Sequence, residues 1–475
     1  MSDDRERPLG GDSTTEPPEA GSSPLERLAE GFRKRTWVTT KSLGRLGVQL
    51  AKQNLGINEL FSKASDAGAV AMAEKLLCEL DEMKGLMLKV GQMVSYLDST
   101  LPPAAQELLR RLQAESKPMS YAVIAEVIRH ELGADPPRVF ESFDERPFAA
   151  ASIGQVHRAR VEGRDVAVKV QYPGIAKLLE ADVRTISRLS RFALFFSQID
   201  GPDVLAELNA RLQEECDYSL EALHQRYFAH ALAETPGVRV PAVLGGYSTA
   251  RVLTSELCEG LGFYDFIASA SSEVKNRAAT TIYRSCFQSI FHHCTYNADP
   301  HPGNYIFGAD GLVTLLDFGC VKRFSATFID VWKRLARSIC DDDVPGFREA
   351  FIDAGFVGTK RGFDFEHQLA AMRVLYRRMI GPDPFHFTHD FVNEANEALT
   401  LKNRNKFKMA MPGDWLFVNR LQFGLFSLLA LMGATLDVRR MFREAIDSQS
   451  DPLYEKPLPD EPRSAAEAET RDARR

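Results

Sequence analysis

The spacing of apolar and polar positions changes period twice along this 475-residue chain. Over 70–112 the residues Ala73, Leu76, Leu77, Leu80, Met83 and Met87 return every three or four positions, which predicts helix. Pro102-Pro103 opens a further helix over 104–113, since proline suits a helix's first turn, and another follows over about 120–131. The period then falls to two. Segments 148–160 and 165–170 read as paired strands joined by Glu162-Gly163. Helical spacing returns over 175–196 and 202–233. Segments 238–244 and 251–257 read as a second strand pair, separated by Gly245-Gly246 and Ser248-Thr249. Beyond about 265 the pattern is helical except for short strands around 304–307 and 313–316.

Strands with mixed helices first and helices afterwards predict an α+β fold in two lobes. The boundaries this implies are a helical extension over 29–118, a strand-containing lobe over 119–258 and a helical lobe over 259–447. The ends, 1–28 and 448–475, are charged and proline-bearing and predict disordered tails.

Composition narrows the function classes. A net charge of −7, from 58 basic and 65 acidic residues, argues against a nucleic-acid binder. Seven scattered cysteines without a Cys-x-x-Cys pair read as reduced thiols of a cytoplasmic protein. No apolar secretory signal opens the chain. The longest uncharged apolar run, 421–436, falls short of the roughly 18–20 residues that span a bilayer and reads as a core helix. Peripheral contact with a lipid surface stays open.

Candidate chemistry concentrates in one segment. Asp299 is followed five residues on by Asn304, and Asp317-Phe318-Gly319 closes an apolar run shortly after. Phosphoryl transfer needs a carboxylate to orient the nucleophile, and an amide with a second carboxylate to hold Mg²⁺ against the phosphates of ATP. Asp299 fits the first role; Asn304 and Asp317 fit the metal roles. Lys169 lies on an alternating strand, where a cation would hold phosphates and a helix carboxylate would hold the cation. Upstream, Ala149-Ala150-Ala151-Ser152-Ile153-Gly154-Gln155-Val156 overlays the glycine-rich nucleotide loop of kinases. Gly154 and Val156 match, whereas Ala149 and Ala151 stand at the first two glycine positions and stiffen the loop. Glu214, Asp217 and Glu221 are spaced to share one helix face, with Glu215 to its side. Glu256 and Cys258 sit where a hinge would present backbone groups to adenine. His292, His293, Cys294 and His301 fit no zinc spacing, and the adjacent pair His292-His293 should point apart on a helix. Lys89 and Gln92 share a helix face, to which spacing alone assigns no chemistry.

Taken together, Lys89-Val-Gly-Gln92, the alanine-rich loop through His157, Val-Lys169-Val-Gln171, Glu215-x-Asp217 and Asp299-Pro-His-Pro-Gly-Asn304 resemble the UbiB/AarF-type atypical kinases. The resemblance runs from about 70 to 440. It implies a protein-kinase-like fold with the helical extension packed over the active site. It implies that Lys89 reaches the nucleotide pocket and meets Glu215 and Asp217, and that Lys169 pairs with Glu221. It further implies a link to ubiquinone or other isoprenoid-lipid metabolism, with ATPase or small-molecule kinase activity rather than protein phosphorylation. Asn297-Ala298 replaces the His-Arg of ordinary kinases, and 328–340 already reads as helix, so no phosphorylation-driven activation-loop switch is predicted.

Two rival readings remain. One is a non-catalytic nucleotide sensor, a pseudokinase-like chaperone of lipid biosynthesis. The other is a small-molecule kinase of the antibiotic or choline type, against which the alanine-rich loop and Lys89-x-Gly-Gln92 count.

Overall fold

The computed structural model describes residues 118–177 apart from Ser152, then 214–357, 362–388 and most of 394–458. The Lys89–Gln92 motif, the first tail, most of the helical extension and much of 175–213 lie outside the described residues.

The smaller lobe opens with helices α1 (Tyr121–Leu132) and α2 (Pro136–Val139). Strands β1 (Ser142–Phe143), β2 (Ala149–Ala151), β3 (Gly154–Val161) and β4 (Arg164–Gln171) follow. Helix α3 (Tyr218–Ala231) and strand β6 (Val252–Glu256) complete it, while β5 (Val238–Arg239), which precedes β6 in the chain, joins a second sheet. The sheet runs β1-β3-β4-β6, with β2 folded back on β3, and every pairing is antiparallel. Alternation builds it: β3 and β4 bury Ala159, Val161, Val166, Val168 and Val170 under the Ile124, Val127 and Ile128 face of α1. The β3–β4 hairpin turns at Glu162 (φ 53°) and Gly163 (φ 71°), the two left-handed positions that match strand twist.

The larger lobe begins with β7 (Leu261–Gly262), α4 (Phe263–Ser269) and α5 (Ser272–Phe291), the last capped by the Ser271 hydroxyl accepting from Val274 N–H. Short strands β8 (Thr295–Asn297), β9 (Tyr305–Phe307), β10 (Val313–Leu315) and β11 (Val321–Arg323) carry the loops at the cleft. Helices α6 (Ala326–Asp341), α7 (Val344–Asp353), α8 (Phe365–Leu375) and α9 (Arg377–Ile380) follow. Then come β12 (Phe385–His386), α10 (Gly413–Leu431), β13 (Thr435–Leu436) and α11 (Val438–Asp447). An aromatic core of Phe287, Phe291, Trp332 and Phe442 joins α5, α6 and α11. Helix α10 covers much of the predicted 421–436 run, and no described helix is long and apolar enough to cross a membrane.

Three expectations are corrected. Segments 238–244 and 251–257 do not form an ordinary strand pair. Val238–Arg239 pairs in parallel with β10 in a second sheet, β5-β10-β9-β7, and only Val243 bridges back to Ser255. The acidic run 214–221 is not one helix face: Asp217 has extended backbone (φ −120°, ψ 96°), and its carboxylate caps α3 by accepting from Ser219 N–H. The second tail is not wholly disordered either. Residues 448–455 follow the body of the larger lobe, with Leu453 buried and Asp451 and Leu453 N–H donating to the His292 and His293 carbonyls.

Candidate active site

The two lobes meet at a cavity of about 320 Å³. Its roof is β2 with Val156 and Ala167. Its back edge is Ser255, Glu256, Leu257 and Cys258. Its floor is Asp299, Gly303, Asn304, Ile306, Leu316 and Asp317. These come from distant stretches of sequence, and three local designs bring them together.

The first is the strand lysine. Register on β4 places Lys169 inward beside Tyr218, the first residue of α3. Lys169 Nζ donates to Glu221 Oε1 at 2.8 Å and Oε2 at 2.9 Å, lies 3.6 Å from Asp317 Oδ2, and stands 4.9 Å above the Tyr218 ring centre. Burial works against the Lys169 charge. The carboxylates of Glu221 and Asp317 outweigh it and hold the ammonium well above its ordinary pKa. Burial likewise pushes the Glu221 carboxyl up, opposed chiefly by Lys169. The pair is therefore a charged bridge in which each ion depends on the other.

The second is the loop after β8. His301 Nδ1 accepts from Gly303 N–H, turning the chain through a short 3₁₀ segment that returns Asn304 toward Asp299. Asn304 Nδ2 donates to the Asp299 carbonyl at 2.9 Å and to its Oδ2 at 3.1 Å. Asp299 is buried, at 7% exposure, and lines the cavity.

The third is Asp317-Phe318-Gly319. Phe318 is fully buried and packs on Phe228 of α3 at 5.3 Å, tying this turn to the helix that carries Glu221. Asp317 Oδ1 accepts from Gly319 N–H at 2.9 Å, and Asn297 Nδ2 holds the Asp317 carbonyl at 2.7 Å. Asn297 thus links the β8 strand to the Asp317 turn, a task its spacing did not reveal.

The amide and carboxylate fit a hard divalent cation. Both N–H bonds of Asn304 point to Asp299, which leaves its oxygen with no hydrogen-bond partner among the described residues. Asp317 lines the same cavity. Two protein oxygens, completed by water and phosphate, suit Mg²⁺.

Ala149, Ala150, Ala151, Val156, Glu256 and Cys258 also line the cavity, whereas Ser152 and Lys89 lie outside the described residues. Gly154 sits behind the loop, not against the ligand space: a Cβ there would stand 2.3 Å from the Val170 carbonyl oxygen and 2.8 Å from Tyr218 Oη. The Glu256 side chain turns to Arg239, so at this edge the backbone, not the carboxylate, is left for a ligand. Glu215 is buried, and its Cγ would lie 3.8 Å from a Cβ on Gly319, so it sits near the site and not to one side as the spacing suggested. Asp217 is occupied as the α3 cap. His292 and His293 do not point apart: their ring centres are 4.5 Å from each other. Among the described residues no group of three or more His, Cys, Asp or Glu side chains could hold a metal. Sequence reasoning missed Tyr218 beneath Lys169, and Gln225 and the apolar walls Leu253, Ile306 and Leu316 of the cavity.

This geometry agrees with what the chain is similar to. It is 28% identical over 416 residues to "Atypical kinase coq-8, mitochondrial" of Caenorhabditis elegans, covering 86% of this chain and 54% of that protein. It is 34% identical over 277 residues to "Atypical kinase COQ8B, mitochondrial" of Rattus norvegicus, covering 58% of this chain and 52% of that one. The chain thus spans about half the length of these two relatives. A third, "Atypical kinase COQ8, mitochondrial" of Saccharomyces cerevisiae, is 28% identical and matches over 91% of both chains. Among solved structures, the complex of Rv3197 with erythromycin from Mycobacterium tuberculosis aligns with a TM-score of 0.60 at 28% identity, covering 81% of this chain and 97% of that one. Residues 111–351 match the ABC1 atypical kinase-like domain, about half the chain. With the kinase-like fold and this match, the chain belongs to the ABC1 atypical kinase-like family.

Proposed function

We propose that the cleft binds ATP with Mg²⁺ and delivers the terminal phosphoryl group to a small molecule, an isoprenoid lipid or water, in a role linked to quinone biosynthesis. The observation that carries this reading is the convergence of Lys169, Asp299, Asn304 and Asp317 on one cavity from three separate stretches of chain.

Adenine would lie between the Val156 and Ala167 roof and the Leu316 floor, its edge toward the 256–258 backbone. Lys169 would hold the α- and β-phosphates, kept in place by Glu221. Asn304 and Asp317 would hold Mg²⁺, which when bound neutralises the phosphate charge. Asp299 would accept a hydrogen bond from the attacking hydroxyl or water and orient it, with Asn304 fixing the carboxylate. Positioning and charge stabilisation would supply the rate, without a covalent intermediate. The link to lipid metabolism and the proposed roles of Lys89, Glu215 and Asp217 rest on the family. Phosphate release and transfer by the purified chain, with and without anionic vesicles and phenolic quinone-precursor mimics, tests activity, lipid response and acceptor class together.

The second reading, a nucleotide sensor without turnover, draws support from Ala149 and Ala151 at the cavity roof, where a Cβ limits how closely the backbone approaches phosphate. Thermal stabilisation by Mg-ATP with no phosphate release or transfer would favour it.

A further inference from the structure

Residues 448–455 return from the end of α11 to the outer side of α3, and Tyr454 is where they end on it. The strap is fixed along its length. Lys333 Nζ of α6 donates to the Ser448 carbonyl at 2.7 Å and to Ser450 Oγ at 2.8 Å. Asp451 N–H donates to His292 and Leu453 N–H to His293, at the end of α5 just before the strand that leads to Asp299. Tyr454 then touches two elements at once. Its hydroxyl is hydrogen-bonded to His224 Nδ1 at 2.5 Å, and its ring lies 4.3 Å from that of Tyr227, both on α3. The Arg323 guanidinium of β11 stacks 4.2 Å over the same ring.

These contacts bear on the proposed catalytic residues without touching the cavity, since Tyr454, His224, Tyr227 and Arg323 do not line it. His224 stands one helical turn after Glu221, and Phe228 one turn after His224, so the three share a strip of α3. Glu221 faces Lys169, His224 faces Tyr454 and Phe228 faces Phe318. Strand β11 follows Asp317-Phe318-Gly319 directly and pairs with β8, Val321 opposite Asn297. Tyr454 therefore joins the helix of the Lys169 partner to the strand behind the metal-holding turn.

We propose that Tyr454 is a positioning residue: its ring and hydroxyl set the depth of α3 against β11 and so hold Glu221 within reach of Lys169. This rests on the ATP-using reading above. Loss of the clasp frees α3 to slide outward, and a displacement of about 1 Å at a reacting centre costs up to roughly 100-fold in rate.

The experiment uses the full chain with Tyr454→Ala, Tyr454→Phe, Glu221→Gln and the double variant Tyr454→Ala/Glu221→Gln. Hydrogen exchange, which needs no nucleotide, should show faster exchange at 218–224 and 317–321 in Tyr454→Ala, with α7 and α8 unchanged. Phosphate release should fall by roughly 10–100-fold in kcat with the KM for ATP changed about threefold or less. Tyr454→Phe, which keeps the ring, should recover most of it. In the Glu221→Gln background the same alanine should cost less than about threefold, because both changes act on one pairing, whereas a merely structural role would cost the same in both backgrounds. Unchanged exchange at 218–224, or additive losses, would overturn the proposal. Faster exchange in a protein whose wild type neither binds nor hydrolyses ATP would uphold the clasp and defeat the ATP-using reading instead.

Discussion

Lys169 Nζ lies 2.8 Å from Glu221 Oε1, 52 positions apart in sequence, with Glu221 buried and Lys169 mostly so. This bridge ties the sheet to α3 and sets the lysine beside the Asp317-Phe318-Gly319 turn. Removing one member of a buried pair strands the other charge and costs about 3–5 kcal/mol.

That cost should depend on pH in Lys169→Met. Without the ammonium, Glu221 remains buried beside Asp317, and both effects raise its folded pKa above the unfolded value. A raised folded pKa gives stability that is present below the unfolded pKa and lost as pH rises through the folded one. Melting curves should show a larger deficit against wild type at pH 8 than at pH 5. A deficit independent of pH would mean that the lysine's absence leaves no buried charge.

A second pH effect belongs to the wild type. Burial first, then the charge of His292, lowers the His293 imidazole from its ordinary value to about 4. The fold thus favours the neutral ring, the unfolded chain binds more protons below about pH 6.5, and stability falls as pH drops from there toward 4. His293→Gln should flatten the decline of melting temperature between pH 6.5 and pH 4; an unchanged slope would assign it to other groups.

Gly154 is required by space. Its missing Cβ leaves room for the Val170 carbonyl and the Tyr218 hydroxyl, and neither can retreat easily: one is strand backbone, the other a fully buried ring. Gly154→Ala should therefore destabilise by about 1–3 kcal/mol, read as a shift in urea midpoint. A midpoint equal to wild type would show that the Tyr218 ring can move.

Asn304→Asp tests the Asp299 pairing. The substitution removes the N–H bonds at 2.9 and 3.1 Å and sets a second carboxylate against the first. Turnover should fall at least about 100-fold while nucleotide affinity changes less, because the lost interaction orients the acceptor side. Full activity would separate Asn304 from Asp299 function.

Much of the fold was readable because it is local. The β3–β4 hairpin announces itself by alternation and by Glu162-Gly163 at its turn. The grouping of Asp299, Asn304 and Asp317 was readable because they lie at short spacings, and they line one cavity. What failed depended on partners far away in sequence or on a local cap that spacing does not show. Val238–Arg239 has strand propensity, yet its partner is β10, some 75 residues on. The 214–221 run keeps helical spacing, but the Asp217 carboxylate captures Ser219 N–H and starts a new helix, so spacing no longer reports a shared face. The strap at 448–455 has the composition of a tail, and only the docked Leu453 and Tyr454 reveal its packing.

The central claim is that Asp317, with Asn304, holds the metal on ATP opposite Lys169. Its most direct test is Mg-dependent release or transfer of the terminal phosphate by the purified chain beside Asp317→Asn. Wild-type turnover that requires Mg²⁺, and a loss of at least about 100-fold in the variant with its melting temperature kept, is the predicted result. Equal turnover in the two proteins would contradict the account.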